Sequence, residues 1–270
     1  VFGMDVARYP DLTQNFVTEK AKEFYGNRFY LAKPNEQWPA GRPLKTTPIY
    51  PLQVKDNAVW GMAYGLEMPM WFAPEGTPAV ETPTFRRSNA FEHVGEECRA
   101  VRRSAGIFDA SGFAKYEFSG PKAAEWLETI FANKLPEVGR ARLAPLLWPS
   151  GKLKGDLTML RLEKDRFLVT GSGYLQEFHM RWFEQHLPES GVRLENKSES
   201  MMALAISGPN AGNILKAAFG EECLQGIEKI LSIKKAELGV APGYIARISL
   251  TGEAGFEVYT ESMYFEGVYK

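Results

Sequence analysis

The chain has 270 residues and a mass of 30.3 kDa, a length that fits one large domain or two ordinary ones. Its 44% hydrophobic and 24% charged residues exclude intrinsic disorder, and a net charge of −1 gives no global attraction to nucleic acid or an anionic membrane. No apolar run approaches the roughly 20 residues of a membrane-spanning helix. Two cysteines, Cys98 and Cys223, are too few for a disulfide framework or a multi-cysteine metal site, and they are expected to be small buried or half-buried thiols in a reducing compartment. His93, His179 and His186 do not cluster with acids at metal-ligand spacing, and HExxH is absent, so no metal is expected.

The first 46 residues are rich in turn formers and aromatics, with one helical stretch from Phe16 to Tyr25. PNEQWPAGRPLKTTPIYP, from Pro34 to Pro51, carries five prolines and must run extended or in turns. A second loop-rich stretch is expected over MPMWFAPEGTPAVETPTF, from Met68 to Phe85. From about Glu92 strands and helices alternate. EECRAVRRSA is a helix with a basic outer face, AKYEFSG (114–120) alternates like a strand, and Pro121 opens the helix KAAEWLETIFAN. Strands follow at ARLAPLLW (141–148), LKGDLTMLRL (153–162) and RFLVTG (166–171), then an amphipathic helix with Leu175, Phe178, Trp182 and Phe183 on one face. MALAISG is a strand, Pro209 starts a helix, and ELGVAPGYIARISL and FEVYT supply further strands. The chain opens at Val1 without a signal pattern and closes inside the apolar-periodic ESMYFEGVYK, which predicts a fragment of a longer protein.

An internal repeat is visible. SGPKAAEWLETIF begins at Ser119 and SGPNAGNILKAAF at Ser207, 88 residues later (207 − 119). Alanine, leucine and phenylalanine recur at matching offsets: Ala123 and Ala211, Leu127 and Leu215, Phe131 and Phe219. The period is too long for a solenoid. It predicts two related α+β units packed against each other, with a seam between them suited to a small molecule.

Four features carry chemistry or imitate it. TGSG (170–173) lacks the GxGxxG pattern of a dinucleotide loop and reads as a plain strand-to-helix turn. Asp156 begins a largely apolar strand, where it either caps a turn or serves a site. TGEAGFEVY puts Glu253 in a glycine turn and Glu257 between Phe256 and Val258. A carboxylate in that apolar setting needs a strong partner. Either an arginine supplies it, or a ligand does by presenting two adjacent N–H donors, such as the pyrimidine edge of a pterin. Arg86, Arg87, Arg99, Arg102 and Arg103 form either a solvated face or a cradle for an acidic substrate tail. His179 reads as a packed histidine.

FRRSNAFEHVGEECRAVRRSAGIFDASGFAKYEFSGPKAAEWLETIFAN resembles the opening of the folate-binding module of the glycine-cleavage aminomethyltransferase (T-protein) family. GRARLAPLLWPSGKLKGDLTMLRL, SGPNAG and ARISLTGEAGFEVY follow in that family's order. DVARYPDLTQNF, EFYGNRFYLAKPNEQWPAGRPLKTTPIY and WGMAYGLEMPMWFAPEG resemble the junction to a flavin domain in the dimethylglycine and sarcosine dehydrogenase family. The resemblance covers nearly the whole chain. It implies an α+β, T-protein-like module over residues 47–270, built from two related α+β units. Ahead of it, residues 1–46 would be a proline- and aromatic-rich connecting segment from a flavin-dependent oxidoreductase domain that the fragment lacks.

It further implies a function. An FAD domain outside this chain would oxidise an N-methyl amine of the dimethylglycine or sarcosine type to an iminium ion. The module would bind tetrahydrofolate, whose N5 takes up the one-carbon unit to give 5,10-methylenetetrahydrofolate. The catalytic aspartate of that family falls on Asp156 and its pterin-gripping glutamate on Glu257, with Leu175 on the loop before the long helix and Tyr259 beside the pocket. The family commonly has a tyrosine thirteen residues before the aspartate, and here that folate-packing position is Leu143. The implied partners are the amine, folate and the flavin domain, with neither nucleic acid nor membrane. The implied compartment is the cytoplasm of a bacterium or the mitochondrial matrix. Two other functions remain open: a flavin-independent folate-dependent aminomethyl or methyl transferase, and a non-catalytic module that kept the fold but lost folate.

Overall fold

The computed structural model describes residues 13–249 and 252–270. Most of DVARYPDLTQNF and the Leu250–Thr251 step of ARISLTGEAGFEVY lie outside the described residues. The chain forms two compact units that divide between Ala100 and Val101.

In the first unit, α1 (Gln14–Gly26) covers the expected helix. The proline-rich segment runs extended to α2 (Tyr50–Lys55), which has proline in its first turn. A hairpin of β1 (Ala58–Ala63) and β2 (Leu66–Phe72) follows. The expectation of a loop from Met68 is thus corrected at its start, because Met68 to Phe72 are paired strand residues. The misleading residue is Pro69, which cannot donate to a ladder. It is tolerated because it faces Trp60 beside a register shift in a sheet of only two strands. Arg42 grips the buried Glu67 through two parallel bonds of 2.8 and 2.5 Å. His93, on α3 (Ala90–Arg103), stacks on Trp71 at 5.3 Å.

The second unit contains β3 (Gly106–Asp109), β4 (Ala114–Ser119), α4 (Ala123–Ile130), β5 (Arg140–Leu147), β6 (Leu153–Glu163), β7 (Arg166–Gly171), α5 (Gln176–His186) and β8 (Arg193–Asn196). It continues with β9 (Met201–Ser207), α6 (Ala211–Phe219), β10 (Ile233–Leu238), β11 (Ala241–Ala246), β12 (Gly255–Glu261) and α7 (Ser262–Tyr269). The strands form two five-stranded sheets, in the orders β5-β6-β7-β4-β8 and β10-β11-β12-β9-β3.

These orders are the same pattern drawn twice. In each sheet a strand ending in Ser-Gly-Pro leads into a helix, and a three-strand meander returns to pair with that strand. The outer edge is supplied by the short strand preceding the other repeat's copy: β3 pairs with β9, and β8 pairs with β4. The Ser-Gly-Pro turns match in detail. Gly120 and Gly208 have φ of 120° and 121°, a region closed to most side chains. A Cβ would lie 2.6 Å from the Gly191 carbonyl in the first copy and 2.5 Å from those of Ser104 and Val101 in the second.

Both faces of the first sheet are covered. One face packs Tyr116, Phe118, Leu157, Met159, Phe167 and Val169 against Trp126, Leu127 and Phe183 of α4 and α5. Each such side chain contributes roughly 1.5–3 kcal/mol by leaving water. The other face joins the second sheet, where Ala141, Leu160 and Leu168 pack with Met201, Ala203, Ile233, Ala246 and Tyr259. Polar ties close the seam at one side. The Ala141 N–H donates to the Leu231 carbonyl at 2.7 Å, Arg140 reaches Ser232 Oγ and the Ile230 carbonyl, and Arg166 bonds both Glu117 at 2.8 Å and the Tyr244 hydroxyl at 3.1 Å.

Candidate functional site

Strand register decides which side chains meet the seam. Directly paired residues lie on one face, and alternate residues share it. On β6, Asp156, Thr158 and Leu160 therefore face the second sheet together. Thr158 pairs with Leu143 on β5 and with Thr170 on β7, and Thr170 pairs with Lys115 on β4. One row across the inner face thus reads Lys115, Thr170, Thr158, Leu143, with Asp156 one step further along β6 beside Pro145. On the second sheet Glu257 pairs with both Ala205 and Ala246, and Ala205 pairs with Phe108 on β3. Tyr259 pairs with Ala203 and Tyr244, so it shares the face that carries Glu257.

Asp156 and Glu257 thereby stand on opposite walls of one seam. Asp156 is exposed, and its carboxylate makes no hydrogen bond or ion pair to a described residue. Leu143 is 54% exposed and Phe108 51% exposed, which makes two apolar side chains accessible on these same faces. Leu175 closes a 3-10 turn, Gly173–Leu175, immediately beyond β7 and is half-buried.

Glu257 is half-buried, and burial raises its pKa, opposed by the Tyr259 hydroxyl and the charge of Lys115. Tyr259 is buried, and its hydroxyl donates to Glu257 Oε2. The charge that acts on Glu257 is that of Lys115, and no arginine pairs with it among the described residues; Arg102 pairs with Glu253 at 3.5 Å. Two further arginines of the basic run are engaged locally, Arg99 with Glu96 at 2.6 Å and Arg87 over the Phe91 ring at 4.0 Å.

Lys115 is the seam residue that sequence reasoning missed. It is fully buried, and its ammonium donates to the carbonyls of Ser111 at 3.0 Å and Phe113 at 2.8 Å. Burial lowers its pKa to about 8, partly offset by Asp109 and Glu257. In AKYEFSG a lysine and a glutamate alternate with apolar residues, the signature of a half-solvated strand. Only knowledge that a second sheet covers the polar face would have marked them.

Beneath the site, β6 carries a bulge where its pairing with β5 shifts by one residue between Leu146 and Leu147. The extra residue turns Lys154 away from the seam. Its ammonium sits 3.5, 3.9 and 4.2 Å from the ring centres of Trp148, Phe178 and Trp182. His179 is buried under Gly155, where a Cβ would meet its Nε2 at 2.4 Å, and burial lowers its pKa to about 4. It is the packed histidine expected from sequence. Cys223 is buried, whereas Cys98 is exposed, contrary to the expectation for both thiols, because it falls on a solvent-facing position of α3. Among the described residues no cluster of three or more His, Cys, Asp or Glu could hold a metal, and no helix is long and apolar enough to cross a membrane.

Residues 49–270 match the GCVT N-terminal domain family, and residues 1–47 match the FAD dependent oxidoreductase central domain. Human mitochondrial dimethylglycine dehydrogenase is 33% identical over 95% of this chain and 30% of its own length. The 4-methylaminobutanoate oxidase (formaldehyde-forming) of Paenarthrobacter nicotinovorans is 26% identical over 95% of the chain and 32% of its own length. The chain therefore spans about a third of the length of these relatives. The glycine cleavage system aminomethyltransferase T of Bartonella henselae superposes with a TM-score of 0.68 at 24% identity, over 84% of this chain and 56% of that one, a likeness of fold.

Proposed function

We infer that this chain, which belongs to the GCVT N-terminal domain family, is the tetrahydrofolate-binding, one-carbon-transfer part of an FAD-dependent N-methyl amine dehydrogenase of the dimethylglycine and sarcosine type. The observation that carries the reading is the placing of a free carboxylate, Asp156, and a half-buried one, Glu257, on facing walls of a single seam.

The donor and acceptor chemistry of the seam suits a reduced pterin. Glu257 spends one oxygen on the Tyr259 hydroxyl and retains lone pairs for two adjacent N–H groups of an amino-pyrimidine ring. Leu143 offers apolar contact where a tyrosine would also offer a hydroxyl. Tetrahydrofolate, when bound, supplies the nucleophilic N5 that accepts the one-carbon unit. Asp156 stabilises positive charge near that nitrogen and takes up the proton released there, while the two walls fix the ring in place. No covalent bond to the protein is required.

The flavin chemistry belongs to residues outside this chain. The match of residues 1–47 to an oxidoreductase central domain supports this reading over a flavin-independent transferase. Asp156→Asn in the full-length protein is expected to lower 5,10-methylenetetrahydrofolate formation by about 100-fold or more while amine oxidation stays near its original rate. Equal loss of both activities would contradict the division of labour. The non-catalytic alternative rests on Leu143 and predicts no thermal stabilisation by tetrahydrofolate at any concentration.

A further inference from the structure

Lys154, Gly155 and Asp156 follow one another at the start of β6. In an unbroken strand, residues two apart share a face, so Lys154 would stand beside Asp156 on the inner face, within reach of its carboxylate. The bulge prevents this. Leu146 pairs with Gly155 and Leu147 with Leu153, which leaves Lys154 as the extra residue with no partner on β5. Leu147 alternates with Pro145 and Leu143, so its partner Leu153 takes the inner-face place that the lysine would have had. Gly155 leaves no room for a side chain of its own, since a Cβ would lie 2.4 Å from Nε2 of the buried His179.

On the outer face Lys154 is buried, and its ammonium makes no hydrogen bond or ion pair to a described residue. Its company is the cage of Trp148, Phe178 and Trp182. Those rings pack edge to face, Trp148 against Phe178 at 6.0 Å and against Trp182 at 5.5 Å. Cation–π attraction here stands in for a counter-ion. Asp156, two residues away, is left with no cation at all among the described residues.

We propose that the bulge and the aromatic cage sequester the Lys154 ammonium on the outer face and thereby keep the Asp156 carboxylate unpaired in the seam. Trp148, Phe178 and Trp182 are then positioning residues for a carboxylate that they do not touch. The catalytic consequence rests on the folate reading, in which Asp156 stabilises positive charge near N5 and takes up a proton; an ammonium paired with it would cancel the first effect and oppose the second. The movement of the lysine does not depend on that reading.

The test opens the cage at its exposed ring. A crystal structure of full-length Trp148→Leu is expected to show the Lys154 ammonium on the inner face, within about 4 Å of an Asp156 carboxylate oxygen. An ammonium that stays with the two remaining rings, or turns to solvent on the outer face, would overturn the proposal. Phe178→Leu puts the same question to a second ring should Trp148→Leu fail to fold. Rates then separate sequestration from simple bracing of the strand. Formation of 5,10-methylenetetrahydrofolate is expected to fall about tenfold in Trp148→Leu, with amine oxidation unchanged. Lys154→Met is expected to stay within about twofold of the original rate, and Trp148→Leu/Lys154→Met to return to that level, because no ammonium is left to capture Asp156. A cage that only braces the strand would slow Lys154→Met as well and leave the double variant no faster than Trp148→Leu, and either result would contradict the proposal. If the unmodified protein forms no methylenetetrahydrofolate while the ammonium still moves onto Asp156 in the crystal, the folate reading fails and the sequestration stands.

Discussion

The two repeats of the second unit share a strand order, a Ser-Gly-Pro turn and a helix start, yet their inner faces differ. On β4 the first repeat presents Lys115 and Glu117, where the second presents Ala203 and Ala205 on β9. Opposite the small side chains of the second sheet, the first sheet places Asp156, Thr158 and Thr170. The second sheet answers with one carboxylate, Glu257, backed by Tyr259. The two repeats share a plan, and unequal side chains give the inner face of one sheet more charge than that of the other.

The shared part of the comparison breaks first at the turns. Gly120→Ala and Gly208→Ala each force a Cβ within 2.6 Å of backbone carbonyls at a φ that alanine resists, and each is expected to cost about 3 kcal/mol or more in urea unfolding. Similar losses at the two sites would establish the repeat as energetically real, and a tolerant site would show that the resemblance stops at the sequence.

A slightly smaller effect belongs to the first repeat alone. The folded His179 titrates near 4 and the unfolded one near 6.5, so below pH 6.5 the unfolded chain binds the extra proton. Stability is therefore expected to fall as pH drops from 6.5 towards 4, by up to about 3 kcal/mol, and His179→Phe should remove that slope. The second repeat has no histidine in α6 or α7 to match it. Persistence of the slope in the phenylalanine variant would move its origin elsewhere.

Next in size is the aromatic cage that the β6 bulge creates. Lys154→Met keeps the stem and removes the charge above Trp148, Phe178 and Trp182, and thermal unfolding should show a loss of about 1–2 kcal/mol. An unchanged Tm would mean that the desolvation of the ammonium cancels its attraction to the rings. The smallest effect sharpens the site. Leu143→Tyr restores a hydroxyl on the exposed end of the inner face and is expected to tighten tetrahydrofolate binding by about 1 kcal/mol.

Much of this asymmetry was legible in the chain itself. The Ser-Gly-Pro copies exposed the repeat, alternation located β4, and apolar neighbours made Glu257 stand out as a carboxylate in need of a partner. Asp156 and Glu257 were both visible, but their position on facing walls depended on register across seven strands, which no local pattern encodes. Lys115 and Glu117 were hidden by the usual meaning of alternation, in which polar residues face water. Here both faces of the sheet are covered, and residues 114–118 are buried without exception. The β2 strand was masked by Pro69, and the inversion of Lys154 by a bulge that adds a single residue.

Calorimetric titration of the full-length protein with tetrahydrofolate, repeated with Glu257→Ala, tests the central claim most directly. The account predicts a saturable isotherm for the unmodified protein and a loss of affinity of about 100-fold or more in the variant, the worth of two charge-assisted hydrogen bonds. An isotherm that survives Glu257→Ala unchanged, or the absence of heat and of stabilisation in the unmodified protein, would contradict it.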